Sequence, residues 1–236
     1  MGSSALPGEA RNESVSPQRW PLLAVLDDTD ARALLDQVQP RAFRRGQAVL
    51  HEGASAACLY LIDDGHAAVR VVTPDGDTAM IRVLGRGQHF GELALLSPGA
   101  RTAGVDALDD LSVLALDRVT FDRLRQRRPK LEAMLTEALV MEVRRLTHCL
   151  TEAYHLPATE RVTRRLVELA GVYGSGSRDP VTILLTQEEL AELTGATRPT
   201  VNRVLRALED DGLIDQQRGR LRLLDVDALA GATTAG

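Results

Sequence analysis

Lysine is almost missing from this 236-residue chain: of its 28 lysines and arginines, only Lys130 is a lysine. So strong an arginine bias speaks of codon use in a GC-rich genome and not of mechanism. Cysteine is scarce too, with Cys58 and Cys149 far apart and no C-x-x-C spacing. That excludes a zinc ribbon, a disulfide scaffold and a four-cysteine iron–sulfur site. Aromatic residues make up 3% of the chain, so the core must come mostly from Leu, Val and Ala. No window approaches the roughly 18 apolar residues of a membrane span. Met1 to Trp20 is rich in Ser, Pro and Gly and lacks the apolar stretch of a signal peptide. These 20 residues read as a disordered leader, and the protein as cytoplasmic. Positive charge is short as well: a net charge of −5 leaves any nucleic-acid surface to be local. Catalytic signatures are absent. His51-Glu52 lacks the second histidine of H-E-x-x-H, and neither a nucleophile elbow nor a P-loop occurs. An enzyme is therefore not expected, nor a metal site, and the five histidines read as surface or core residues.

What is present falls into segments of different period. Pro21 to Val38 has helical spacing. From Phe43 to Leu116, short apolar runs are separated by Gly46, Gly53, Gly65, Pro74-Asp75-Gly76 and Gly85. Many short strands with regular turn signals predict a small β-barrel or jelly roll, with its clearest hairpin at Pro74-Asp75-Gly76-Asp77. Val119 to His155 returns to helix. Within it Leu139, Val143, Leu146, Leu150 and Ala153 recur in steps of four and three, a coiled-coil seam that predicts a two-fold dimer. Leu156-Pro157 ends this helix as a hinge, a further helix fits Thr159 to Gly171, and Tyr173 to Pro180 reads as a loop.

Two constellations carry chemistry. The first is Phe90-Gly91-Glu92-Leu93-Ala94-Leu95-Leu96-Ser97-Pro98-Gly99-Ala100-Arg101-Thr102-Ala103. Glycine allows close backbone approach, the short turn after it leaves N–H groups for an anion, and the carboxylate suits a ribose hydroxyl. The arginine nine residues later offers a phosphate a planar charged fork. The second constellation begins at Leu185-Thr186-Gln187-Glu188-Glu189-Leu190. There Thr186 and Glu189 have capping-box spacing, and Leu185 with Leu190 forms a hydrophobic staple. Thr194-Gly195-Ala196 is a tight turn, and a second helix buries Val201, Val204, Leu205 and Leu208 while Arg198, Thr200, Asn202, Arg203 and Arg206 stay outside. This is helix-turn-helix spacing. Gln216 to Leu223 follows as two strand-like runs around Arg218-Gly219-Arg220, a β-wing beside a DNA backbone.

The first segment resembles the phosphate-binding cassette of cyclic-nucleotide-binding domains. The whole chain from Leu22 to Leu229 resembles the Crp/Fnr family of bacterial transcription regulators, whose recognition-helix pattern stands here as Thr197-Arg198-Pro199-Thr200-Val201-Asn202-Arg203. The resemblance implies an α+β chain: a cyclic-nucleotide-binding barrel over 21–130, a dimerisation helix over 131–156 and a winged helix-turn-helix over 157–236. It implies a homodimer on a palindromic double-stranded operator, with RNA polymerase as a further partner and no membrane. The ligand is expected to be cAMP, with cGMP as the alternative. Gly91, Glu92, Leu93, Arg101, Thr102, Ala103 and Thr147 would bind it. Thr186, Thr197, Arg198, Thr200, Asn202, Arg203, Arg218 and Arg220 would meet DNA.

Three departures qualify the resemblance. Pro199 replaces the family's base-reading glutamate, so one base contact is lost, and the proline biases Arg198 toward a place before the helix. The two positions where the family's long helix offers hydroxyls to the base hold Leu146 and Thr147, of which only Thr147 has one. Gln187 and Glu188 stand where the best-known member carries arginine and glutamine, so backbone affinity is expected to be lower or to shift onto Arg218, Arg220 and Arg222. Alternatives on the same fold are a regulator that needs no ligand and a haem sensor using a histidine with Cys149.

Overall fold

The computed structural model describes residues 16–55, 57–96, 99–174 and 180–232. Strands β1 (Gln39–Phe43), β2 (Ala48–Leu50), β3 (Cys58–Asp64), β4 (Ala67–Val72), β5 (Thr78–Leu84), β6 (His89–Phe90), β7 (Gly104–Ala107) and β8 (Leu111–Asp117) form two antiparallel sheets, ordered β1-β8-β3-β6 and β2-β7-β4-β5. Side chains alternate between the faces of a strand, and in β3 and β8 both faces are apolar. Tyr60, Ile62, Leu111, Val113 and Ala115 fill the barrel interior with Ala67, Leu84, Phe90 and Val105. Leu59, Leu61, Leu114 and Leu116 point the other way, onto helices. Those helices are α1 (Asp28–Leu35), α3 (Arg118–Arg125) and the start of α4 (Lys130–His155), and α2 is the single turn Leu93–Leu96. The expected hairpin closes β4 onto β5, with Gly76 N–H donating to the carbonyl of Thr73 at 2.9 Å.

The expected leader lies for the most part on residues 1–15, outside the described residues. Its last five are built into the fold. Trp20 is fully buried among Leu22, Leu23 and Leu34, and its indole N–H donates to the carbonyl of Ile62 at 2.9 Å. Arg19 pairs with Asp63. Burying an aromatic of this size contributes about 2–3 kcal/mol, enough to order a segment whose composition reads as loose.

The C-terminal unit comprises α5 (Ala158–Tyr173), β9 (Val181–Ile183), α6 (Gln187–Thr194), α7 (Arg198–Asp210), β10 (Ile214–Gln217), β11 (Arg220–Leu223) and α8 (Val226–Ala232). The three strands make one antiparallel sheet, β10-β11-β9. Val162, Leu166, Leu190, Val201, Leu205 and Leu223 form its core. The same cluster continues onto the outer face of the barrel through Ala68, Met80, Val83 and Leu108. Charged and stacked contacts rim this junction. Arg70 reaches Asp106, Glu192 and, at 3.5 Å, the Oε1 of Glu189. The His66 ring stacks on Tyr173 at 3.8 Å between centroids, and it shares a 2.6 Å hydrogen bond with Asp109.

Candidate nucleotide pocket and DNA-binding surface

Arg101 is the unusual residue of the first constellation. Its side chain is buried, yet no carboxylate pairs with it among the described residues. One Nη donates to the carbonyl of Cys58 at 2.8 Å and the other to that of Gly91 at 3.3 Å, while Nε is buried with no partner among the described residues. Gly91 makes this possible. At φ +81° a Cβ there would sit 2.7 Å from the guanidinium and 2.8 Å from the Cys58 carbonyl. Burial pulls the Arg101 guanidinium below its ordinary value, and the nearby Tyr60, Cys58 and Glu92 draw it back. A desolvated cation held only by carbonyl dipoles is a costly arrangement that an anion would relieve.

Glu92 stands beside it. Burial raises its carboxyl above the ordinary range and the like charge of Glu142 adds to this, against Arg82 and Arg101. Leu93 and Thr102 are exposed and Ala103 is half-buried at the same rim. Thr147 is exposed on α4 and donates its hydroxyl to the carbonyl of Val143 at 2.9 Å. On α4, Glu142 is the residue whose charge acts on Glu92, and Arg145 holds Glu142 from the same helix. Arg82 of β5 donates to Glu142 Oε2 at 3.0 Å, and the charges of both act on His89. None of these three, Arg82, Glu142 or His89, is marked by a motif. The alternation of β5 is the one signal that places Arg82 on an inner face.

The helix-turn-helix closes as its sequence predicts. Thr186 caps α6, accepting from Glu189 N–H at 3.2 Å, while the Glu189 carboxylate accepts from Thr186 N–H at 2.8 Å. Gly195 ends the helix in the left-handed region at φ +59°. Thr197 caps α7 with its side chain accepting from Thr200 N–H, and Arg198 and Pro199 form the first turn. Arg198 is thus inside the helix and not before it. First-turn N–H groups have no intrahelical acceptor, so the proline removes nothing, and the cap overrides its bias on the preceding residue. Arg198, Arg203, Arg206, Arg218, Arg220 and Arg222 are all exposed. Thr186, Arg198, Arg218 and Arg220 line one groove of about 400 Å³ between α6 and the wing, while Thr200, Asn202 and Arg203 lie along α7. Asn202 is not free: it donates to Gln187 Oε1, whose own amide donates to Gln216, both at 3.2 Å. Gln187 therefore ties recognition helix to wing.

Comparison with known proteins decides the assignment. Residues 40–128 match the model of the cyclic nucleotide-binding domain, and residues 160–232 that of the Crp-like helix-turn-helix domain. The chain is 32% identical over 200 residues to the CRP-like cAMP-activated global transcriptional regulator of Mycobacterium tuberculosis, covering 84% of this chain and 89% of the relative.

The chain belongs to the Crp/Fnr family of transcription regulators.

Another relative of this Crp/Fnr protein is the cyclic AMP receptor protein of Thermus thermophilus, 30% identical over 194 residues, 82% of this chain and 88% of that one. Among solved structures, the Thermus thermophilus catabolite activator protein aligns with a TM-score of 0.53 at 27% identity, over 93% of this chain and 99% of that one. FixK2 of Bradyrhizobium japonicum shares the fold, with a TM-score of 0.71 at 19% identity over 82% and 96% of the chains. No helix among the described residues is long and apolar enough to cross a membrane, and among them no three His, Cys, Asp or Glu gather as a metal site.

Proposed function

We propose that this Crp/Fnr protein is a homodimeric, non-catalytic transcription regulator that binds a palindromic operator in the cytoplasm and is switched by a 3′,5′-cyclic purine nucleotide in its barrel. The observation that carries the ligand is Arg101, a buried guanidinium with an orphaned Nε, near the half-buried carboxylate of Glu92. Arg101 would take the cyclic phosphate, and Glu92 the ribose 2′-hydroxyl. Gly91, Leu93, Thr102 and Ala103 would close the rim. Two relatives are named for cAMP, and cAMP and cGMP are the two candidate ligands.

The dimer rests on α4, where Val143, Leu146 and Leu150 are each half exposed or more along one stripe. Pairing two such stripes buries them and sets two copies of α7 about 34 Å apart, one turn of DNA. Thr147 stands on the same side and would serve the pocket from within the paired helices. Residues 21–130 sense, 131–156 pair and 157–236 read DNA, through Thr186, Thr197, Arg198, Thr200, Asn202, Arg203, Arg218 and Arg220. RNA polymerase is the further partner at a promoter. A nucleotide that binds one arrangement of the winged helices more tightly than the other shifts the population toward it.

Titration calorimetry with cAMP and cGMP, paired with operator binding at fixed salt, tests this reading. Saturable nucleotide binding that tightens the operator complex is expected. Absence of binding by both nucleotides at millimolar concentration would overturn it.

A further inference from the structure

The wall of the pocket contains a cation that phosphate binding does not use. In the β4–β5 pairing Ala67 faces Leu84 and Val69 faces Arg82. Ala67 and Leu84 belong to the barrel interior and Val69 packs against it, so Arg82 is on the inner face of its strand. A register shift at Val69/Arg70 then turns Met80 and Arg70 outward, toward the winged helix. Arg82 is thus an arginine on the inner face it shares with Ala67, Val69 and Leu84.

Its ion pair leaves most of its donors idle. Glu142 is already held by its own helix, with Arg145 Nη2 on Oε1 at 2.7 Å and Arg145 Nε on Oε2 at 3.0 Å. Arg82 adds one N–H to Oε2, and its remaining N–H groups have no acceptor among the described residues. The side chain is about a third exposed, so those donors can be reached.

Position supplies the rest. Arg101 has Tyr60, Cys58 and Glu92 as its charged or titratable neighbours, and Arg82 has Glu142, Arg145, Glu92 and Cys149. Val69 faces Arg82 on one side and Val105 on the other, so Arg82 shares an inner row with the strand that leaves the cassette after Ala103. With phosphate on Arg101 and ribose on Glu92, Arg82 is the remaining charged donor on this inner wall for the base to meet. This step rests on the cyclic-nucleotide reading proposed above.

We infer that Arg82 is the base-reading residue of this pocket and that it turns the pocket toward guanine. Guanine presents two neighbouring acceptors, O6 and N7, to a guanidinium fork, whereas adenine sets an N6 amino donor beside its N7. Two donors meeting two acceptors are favoured over a fork of which one donor faces another donor. Leu146, on α4, brings no hydrogen bond of its own to offset this preference. Cyclic GMP therefore binds this protein at least as tightly as cAMP.

The test is calorimetry on the full chain with cGMP, cAMP and cyclic IMP, which keeps O6 and N7 but lacks the 2-amino group. Wild type should bind cGMP and cyclic IMP alike, and neither more weakly than cAMP. In Arg82→Met the cGMP affinity should fall about tenfold or more, with cAMP changed less than about threefold. Glu142→Gln, which removes the ion pair but keeps the Arg82 donors, should retain the guanine preference. If Arg82→Met does not fold, the three-ligand ranking on wild type decides alone. An unchanged cGMP to cAMP ratio in Arg82→Met, or a wild type that binds cAMP and rejects cGMP, overturns the guanine assignment while leaving the cyclic-nucleotide reading intact. A wild type that binds none of the three overturns both.

Discussion

Arg161 of α5 donates to the carbonyl of Gly195, the residue at which the helix-turn-helix turns, at 3.2 Å. The same guanidinium donates to the carbonyls of Thr194 at 3.1 Å and of Leu156, in the hinge, at 2.9 Å. One side chain thus joins the end of the long helix to the turn that orients α7. Arg161→Ala leaves three carbonyls without their donor, and hydrogen bonds from a charged group are worth about 1.5–3 kcal/mol. The chain should lose about 2 kcal/mol, read as a lower urea midpoint at unchanged slope. Arg161→Lys should not restore it, since a point donor does not span three carbonyls.

Replacing Arg101 separates ligand from fold. Arg101→Gln removes a buried cation that forms no ion pair among the described residues, so the ligand-free protein should melt within a few degrees of wild type. Nucleotide affinity should fall roughly a hundredfold, the scale of a lost charge-assisted fork. The rise in melting temperature on adding nucleotide then disappears. A variant that keeps the wild-type affinity contradicts the phosphate assignment.

Stability should depend on pH through His89. Burial first, and the charge of Arg82 second, hold its pKa down to about 4 against an ordinary 6.5, with Glu142 opposing. A depressed histidine means that the unfolded chain binds the proton first, so its contribution is whole above about 6.5 and is lost as pH falls toward 4. By pH 5 the loss is about 2 kcal/mol, an upper figure for a partly hydrated ring. Glu92, whose pKa is raised, works the other way as the pH falls. The lowered carboxylates Asp27, Asp117 and Glu142 lose their contributions only below the ordinary carboxylate range. Urea midpoints from pH 7 to 5 should decline for wild type, and the decline should vanish in His89→Gln.

Val143→Glu places a carboxylate on the uncovered stripe of α4. Two such charges would face one another across a paired seam, so the chain should run as a monomer in light scattering at concentrations where wild type is a dimer. Operator affinity should fall with it, because half the phosphate contacts go.

Pro199→Glu restores an acceptor at the start of α7. Binding-site selection should then regain a preference for one base pair per half-site, worth about 1–3 kcal/mol, that the wild-type chain lacks. Equal stringency in the two proteins would show that another residue reads that position.

Contiguous signals made much of this legible. Glu92 and Arg101 belong to one segment, and the Thr186–Glu189 cap needs only a spacing of three, so both could be read before any packing was known. Thr197 shows where local reading falls short: the bias of Pro199 on Arg198 is real, but the cap beside it wins. Arg82 and Glu142 were out of reach for a different reason. They are 60 residues apart, and their meeting depends on strand register, on a bulge one residue away and on the angle of α4 to the barrel. Trp20 was missed because its flanking Ser and Pro read as loose chain, while its burial comes from strand β3 far along the sequence.

The two oxygens of Glu189 divide their labour. One is given to Thr186 at the head of α6, and the other leans toward Arg70 on the barrel. The handhold and the hinge pin are therefore separate. The cap that holds the head of α6 does not depend on the contact with the barrel, and losing Arg70 would leave it fastened.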